Sequence, residues 1–310
     1  MESIAQSSRF WTNLNEQHRE ELDQFGIEEF KRHQALKYFT WRWHSELLRE
    51  SEQLRFLARA TRPLDWFRAA ITPADLSDRA WRGVDWTRTN RWLYTLATRV
   101  IWEYAGRHDA ASVQMLAEPH FGNPLPVRWR GRLISQDLSN TALEVAAMVR
   151  ALGGRSPSTI LEVGAGYGRT AHALLNVFPN ADYVIVDIEP ARSISEYYLS
   201  KLFPRDRVRH LTPGEIGKIK DGEVDLVVSI SSLHEMTRAQ VKDYLTVFDR
   251  VAGDGVVYLK QWTDWFNPDD KIRMKFDEYP IPERWRKVFS EKAPIQTSFT
   301  QGAWDVPAAP

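Results

Sequence analysis

The stretch ILEVGAGYGRTA, Ile160 to Ala171, decides the fold. An apolar run ends in a glycine-rich turn, and a helix-forming segment follows. Gly164, Gly166 and Gly168 let the backbone reverse sharply and let a ligand approach it closely. GxGxG spacing alone is a weak signal, but two acids strengthen it. Glu162 sits on the strand two residues before the first glycine, and Asp187 closes the next apolar run, 19 residues after Gly168. An acid at that place can accept hydrogen bonds from both hydroxyls of a ribose.

Working outward, the pattern continues as strand and helix in alternation. ADYVIVDI reads as strand, SISEYYLSKLF as helix, VRHLT as a short strand and VDLVVSI as strand. RAQVKDYLTVFDRVA then reads as helix and DGVVYLKQW as strand. Strands separated by helices imply a parallel sheet covered on both faces, so the class is α/β. Upstream the reading is helical. Apolar positions from Ile27 through Phe30, Leu36, Phe39, Trp43, Leu47, Leu54 and Leu57 recur at helical steps. Arg62-Pro63 marks a stop. A second helical segment runs from Trp92 to Tyr104, with Asn90 as its cap and Gly106 at its end. VRWRGRLI reads as a short hairpin around Arg130-Gly131, and Thr141 to Leu152 as a helix. Two regions result: a mainly helical one over residues 1–130 and a sheet domain over 131–310.

Composition narrows the function. The 310 residues are 43% hydrophobic and 26% charged, an ordinary globular balance, and the formal net charge of zero argues against a polyanion as partner. With no cysteine there are no disulfides, thiolate metal sites or thiol nucleophiles, and a cytoplasmic location is the default. The N-terminal MESIAQSSRFWTNLNEQ lacks a signal-peptide pattern, and no apolar run approaches the ~20 residues that span a bilayer. Nine of the 13 tryptophans precede residue 130, so aromatic surface is concentrated in the helical region.

Glu162-Val163-Gly164-Ala165-Gly166-Tyr167-Gly168, together with Asp187, resembles motifs I and II of class I S-adenosylmethionine-dependent methyltransferases. The resemblance implies a Rossmann-like sheet with a final antiparallel strand, which FTQGAWDV, Phe299 to Val306, can supply. It implies that the glycine turn packs on the methionine and ribose of the cofactor, that Asp187 binds the ribose diol and that Glu162 supports the amino-acid end. The candidate cofactor-binding residues are Glu162, Gly164, Ala165, Gly166, Tyr167, Gly168, Asp187, Ile188, Ser229, Ser231 and Gln136. Sites for NAD or FAD more often read GxGxxG and need room for a pyrophosphate. Here the third glycine comes early and Tyr167 crowds the turn. Over residues 115–310, FGNP (Phe121 to Pro124), ISQDLSN (Ile134 to Asn140), YLKQW (Tyr258 to Trp262), FNPDD and YPIPERW (Tyr279 to Trp285) resemble a sugar O-methyltransferase family of actinobacterial natural-product clusters. That implies a glycosylated small-molecule acceptor, methylated on a hydroxyl, with the N-terminal helices as a lid over the acceptor.

In the resembled fold, the strand containing Asp225 to Ile230 is the fourth and ends beside the transferable methyl, so the side chains that follow in SISSLHEM, Ser229 to Met236, face the acceptor. His234 is the candidate general base for an acceptor hydroxyl, and Glu235 the candidate for orienting its imidazole. Against this stands a plain reading, in which His234 starts a helix and Glu235 favours its positive end. Trp41, Trp262, Asp264 and Asn267 are candidate acceptor contacts, while Trp43 fits the apolar stripe as core. Asp264, Asp269 and Asp270 suit a hard cation, but Asn267-Pro268-Asp269-Asp270 is also a good turn or cap, and no metal is expected. Gln136 can reach the cofactor carboxylate or cap the helix after it, and Glu215 is a candidate adenine contact. Neither nucleic acid nor membrane is expected as a partner, and a homo-oligomer stays open. The rival activities are transfer to nitrogen, carbon or a carboxylate, another use of the bound sulfonium, and a catalytically inactive binding protein.

Overall fold

The structure, a computed structural model, describes residues 4, 9–32, 40, 51–267 and 269–308. It divides into two compact units. One comprises residues 1–19, 147–293 and 298–310, and the other residues 20–146 and 294–297.

The first unit is built on a seven-stranded sheet. In chain order its strands are β3 (Thr159–Val163), β4 (Asp182–Val186), β5 (Val208–Leu211), β6 (Leu226–Ile230), β7 (Val256–Trp262), β10 (Arg286–Lys292) and β11 (Phe299–Asp305). Across the sheet the order is β10-β11-β7-β6-β3-β4-β5. The five strands β3 to β7 are parallel, and β11 enters antiparallel between β7 and β10. Phe299 to Asp305 is thus the final antiparallel strand. The chain winds one way from β3 through β4 to β5, then returns to place β6 on the other side of β3. Open α/β sheets bind ligands outside the carboxyl ends of the strands at such a reversal.

The strands read as near-continuous apolar runs because both faces are covered, and β6 is buried at every residue. Crossover helices α6 (Arg169–Val177), α7 (Ala191–Ser200) and α8 (Arg238–Val251) join the parallel strands. Leu161, Val163, Val184, Val227, Val257, Leu245 and Phe248 share one buried cluster, which Ile4 also enters. Thr237 opens α8 with a capping box: its hydroxyl accepts from the Gln240 amide at 3.3 Å, and Gln240 Oε1 accepts from the Thr237 amide at 2.9 Å. The hairpin β8 (Asp264–Asn267) and β9 (Ile272–Lys275) follows β7. The outermost strand, β10, is almost wholly exposed, with a register shift between Lys287 and Phe289.

The second unit is mainly helical. It holds α2 (Ser51–Ala60), α3 (Pro63–Ile71), α4 (Arg88–Gly106) and the two-residue strands β1 (Arg128–Trp129) and β2 (Arg132–Leu133). Two further α-helices among the described residues are α1 (Arg9–Phe25) and α5 (Gln136–Leu152). Arg130 and Gly131 both take positive φ, 50° and 80°, which is how a two-residue turn closes the β1–β2 hairpin. Buried cations hold the loops. The Arg99 guanidinium donates to the carbonyls of Ala69, Thr72, Pro73 and Arg128, and Lys31 Nζ meets Glu118 at 2.6 Å with both side chains buried.

Several sequence expectations need correction. The stripe from Ile27 does not open as an α-helix: Gly26 turns at φ 84°, and Ile27–Glu29 forms one 3-10 turn. Leu36, Phe39, Trp41, Trp43 and Leu47 lie outside the described residues. Helix α1 lies inside the stretch read as helical, although no apolar stripe was traced there. Thr87, not Asn90, caps α4, its hydroxyl accepting from the Asn90 amide at 3.2 Å. The helix expected from Thr141 begins at Gln136, because the Ser135 hydroxyl accepts from the Leu138 amide at 3.0 Å.

Candidate functional site

The glycine turn leaves the carboxyl end of β3 at the sheet's reversal. Gly164, Gly166 and Gly168 all take positive φ, at 79°, 58° and 89°. A side chain at Gly164 would meet Ser232 Oγ at 2.2 Å, so the turn and the segment after β6 are packed directly together. Ala165 is buried, and the Tyr167 ring packs edge-on against Tyr198 at 5.2 Å. Glu162 is buried on β3 and accepts from the Tyr183 hydroxyl at 2.8 Å.

Asp187 follows β4 and faces the turn. Its Oδ2 accepts from the Gly166 amide at 3.0 Å and its Oδ1 from the Ile188 amide at 2.8 Å. Burial raises its pKa to about 7, against the pull of these backbone amides and with a push from Glu162. A carboxylate has about four acceptor sites, so each oxygen keeps capacity after its backbone bond. These acceptors fit a ribose diol, and the turn beside them presents glycine backbone, as close approach of a nucleoside requires.

The segment after β6 carries the second half of the site. Ser231 takes φ 54° and its amide donates to the Lys260 carbonyl at 2.8 Å, so the chain turns sharply out of the strand. Leu233–Glu235 forms a single 3-10 turn, and His234 and Glu235 are both buried. The His234 Nδ1 lies 3.0 Å from Gln261 Oε1 on β7. Gln261 Oε1 also accepts from the Ser232 amide at 2.9 Å, while its Nε2 donates to the Ser229 carbonyl at 3.0 Å and lies 3.3 Å from the Ser229 hydroxyl. The other imidazole nitrogen, Nε2, has no hydrogen-bond partner among the described residues. Glu235 Oε1 is 3.4 Å from it.

Charge at this turn is suppressed. Burial lowers the His234 pKa to about 4, against the Gln261 bond, so the ring is neutral at pH 7. Burial pushes Glu235 well above the usual carboxylate range, and a hydrogen bond from Trp11 of α1 opposes that. The His234 ring lies 5.3 Å from Trp265, edge to face, and 6.5 Å from Trp262. Trp262 in turn packs on Phe299 at 4.9 Å. A neutral imidazole therefore sits against an aromatic wall, which limits competition from water.

The other candidates are placed as follows. Asp264 is bound by the Arg273 guanidinium at 2.7 and 2.5 Å, across the β8–β9 hairpin. Asn267 makes that hairpin's turn: its Oδ1 accepts from the amides of Asp269 and Asp270 at 3.0 and 3.2 Å. Gln136 is buried and donates to Thr98 Oγ1 at 3.1 Å. Glu215 forms a capping box with Thr212 and bonds Lys218, which together lower its pKa to about 2. Trp41 lies outside the described residues. Among the described residues no group of three or more metal-ligating side chains is brought together. Sequence reasoning missed Gln261, Ser232 and Trp265. The one signal was a polar residue at the buried end of VVYLKQW.

Residues 161–258 match the family model described as a methyltransferase domain. No curated protein matches. Among solved structures, the chain is similar to 1,6-didemethyltoxoflavin-N1-methyltransferase of Burkholderia thailandensis, with 19% identity over 52% of this chain and 76% of that one, TM-score 0.42. It is also similar to a SAM-dependent methyltransferase of Aquifex aeolicus (18% identity, 48% and 82% covered, TM-score 0.39). A third is geranyl diphosphate C-methyltransferase of Streptomyces coelicolor A3(2) (12% identity, 55% and 85% covered, TM-score 0.42).

The sheet is a Rossmann-like sheet of the class I methyltransferase type. The match makes residues 161–258 a methyltransferase domain, an enzyme domain that takes S-adenosylmethionine as its cofactor. Among the described residues, no helix is long and apolar enough to cross a membrane.

Proposed function

We propose that the protein methylates a hydroxyl of a sugar or glycosylated small molecule, with His234 as the general base. The cofactor supplies a methyl group made electrophilic by its sulfonium. The glycine turn and Asp187 would hold its nucleoside, and Glu162 would stand behind its amino-acid end. His234 would take the proton of the acceptor hydroxyl. Trp262 would flank the acceptor, and the helical region, residues 1–130, would bind it, with 131–310 as the cofactor domain. Asp264 and Asn267 enter the reading only as supports of the β8–β9 hairpin.

One observation carries the proposal. A neutral, buried imidazole stands beside the end of β6 with one nitrogen tethered and the other without a hydrogen-bond partner among the described residues. A hydroxyl acceptor needs a proton acceptor there. A carboxylate acceptor does not. The sugar class rests on the resemblance of residues 115–310 to the sugar O-methyltransferase family.

The test has two stages. Calorimetric titration with S-adenosylmethionine and S-adenosylhomocysteine should show micromolar binding of both. Glycosides are then screened as acceptors, and turnover is compared with that of His234→Ala. That variant should bind S-adenosylhomocysteine normally and lose at least ~10²-fold in turnover, the lower range for a general base. Unchanged turnover would remove His234 from the chemistry.

A further inference from the structure

We infer that Gln261 is a positioning residue that locks His234 in the Nδ1–H tautomer, leaving the Nε2 lone pair as the only site that can take a proton. The inference rests on the reading of His234 as the base, which it deepens.

The argument begins with the amide, whose two ends are hard to tell apart by shape but not by partner. The Ser232 backbone N–H is 2.9 Å from one end of the Gln261 side chain, and an N–H can only donate. That end is therefore the oxygen. The Ser229 backbone carbonyl is 3.0 Å from the other end, and a carbonyl can only accept, so that end is the NH₂. Two backbone groups on opposite sides thus fix the amide's orientation independently of the histidine.

The fixed oxygen then faces His234 Nδ1 at 3.0 Å. An unprotonated Nδ1 would set two lone pairs against each other in a buried site. A protonated Nδ1 donates a hydrogen bond of ordinary length. A neutral imidazole carries one proton, so Nε2 holds the lone pair. Among the described residues, Glu235 is the group placed to draw the proton to Nε2 instead. Its Oε1 is 3.4 Å away and forms no hydrogen bond with that nitrogen, and Glu235 is already engaged by Trp11. When an acceptor O–H bond breaks, its proton forms the Nε2–H bond and the ring becomes an imidazolium with a proton on each nitrogen. The Nδ1–H bond to Gln261 persists through that step, so the ring need not turn.

The lock also has an origin in the fold. Gln261 sits on β7, one strand from β6, and its three hydrogen-bonding partners, Ser229, Ser232 and His234, span the exit of β6. One side chain thus ties the strand end, the turn and the base together.

The tautomer is measurable without any acceptor. Protein labelled with ¹⁵N-histidine is studied by NMR at pH 7, with the His234 signals assigned by their loss in His234→Ala. The expected result is a protonated, pyrrole-type Nδ1 and an unprotonated, pyridine-type Nε2. The reverse pattern would overturn the inference, whatever the turnover. Gln261→Glu, which keeps an oxygen that can accept from Nδ1–H, should keep the pattern and most of the turnover. Gln261→Leu should lose the tautomer preference and at least tenfold in kcat, with S-adenosylhomocysteine affinity within threefold of the parent. If Gln261→Leu fails to fold, the parent spectrum and Gln261→Glu still decide the matter. A correct tautomer combined with full activity of His234→Ala would leave the lock standing and refute the base.

Discussion

The contact between the glycine turn and the segment after β6 makes a quantitative prediction for Gly164→Ala. Two costs add. Gly164 has φ 79°, and a side chain in the left-handed region costs about 1–2 kcal/mol. The new methyl would also lie 2.2 Å from Ser232 Oγ and 2.4 Å from Ser232 Cβ, far inside contact distance. Ser232 cannot simply retreat, since its amide is held by Gln261 at 2.9 Å. Overpacking of this kind costs about 1–3 kcal/mol. Gly164→Ala should therefore lose about 2–5 kcal/mol, read as a lower urea midpoint at unchanged slope. The second substitution separates the two costs. Ser232→Gly removes both clashing atoms, and the remaining Cα would be 3.8 Å from the new methyl, an ordinary contact. The double variant should recover the overpacking part, giving a coupling of about 1–3 kcal/mol, while the backbone cost remains. A loss under about 0.5 kcal/mol for Gly164→Ala would refute the packing argument. So would a coupling near zero.

Two further outcomes follow from buried charges. Asp187 stands at about 7, above its ordinary 3.8, so the folded protein takes up a proton that the unfolded chain does not, and this group's contribution to stability falls as pH rises between those values. Only the carboxylate form accepts from two hydroxyls, so S-adenosylhomocysteine affinity should weaken as pH falls from 8 to 6, and Asp187→Asn should bind weakly with no such slope; an unchanged slope in Asp187→Asn would assign the dependence elsewhere. Lys31→Met strands Glu118 in the interior, where the Ser135 hydroxyl also donates to it at 2.5 Å, and should cost about 3–5 kcal/mol in chemical denaturation. Lys31→Met with Glu118→Leu should restore much of that, and a single variant within about 1 kcal/mol of the parent would show that the pair is not buried as described.

Where local pattern and global fold agree, the sequence was a sufficient guide. The runs TILEV, DYVIV and LVVSI are apolar throughout because both faces of the sheet are covered, so their strand character and parallel pairing are legible from residue type. The turn at Gly164 and the acid at Asp187 are legible for the same reason, since spacing alone brings them together. The hairpin of β8 and β9 was harder. Asp264 pairs with Arg273 across it, and Asn267 organises its turn, so the same polar residues suggest acceptor contacts when read without a partner strand. Gln261 was not legible as an orienting group. Its partners, Ser229, Ser232 and His234, are 27 to 32 residues earlier, and two of the bonds are to backbone, which leaves no mark on residue type. Glu235, adjacent to His234 in sequence, was the orienting candidate within reach of residue order, and its Oε1 lies 3.4 Å from the His234 Nε2.

The outermost strand has a consequence for behaviour in concentrated solution. A sheet that ends in a long, flat, apolar strand offers unpaired backbone groups as a template for another chain. Here β10 presents Arg286, Lys287, Glu291 and Lys292 to solvent, and its register slips between Lys287 and Phe289. An approaching copy meets charges that must be stripped of water and a ladder whose spacing is broken partway. The strand can therefore complete its own sheet through β11 while remaining a poor seed for fibrous growth.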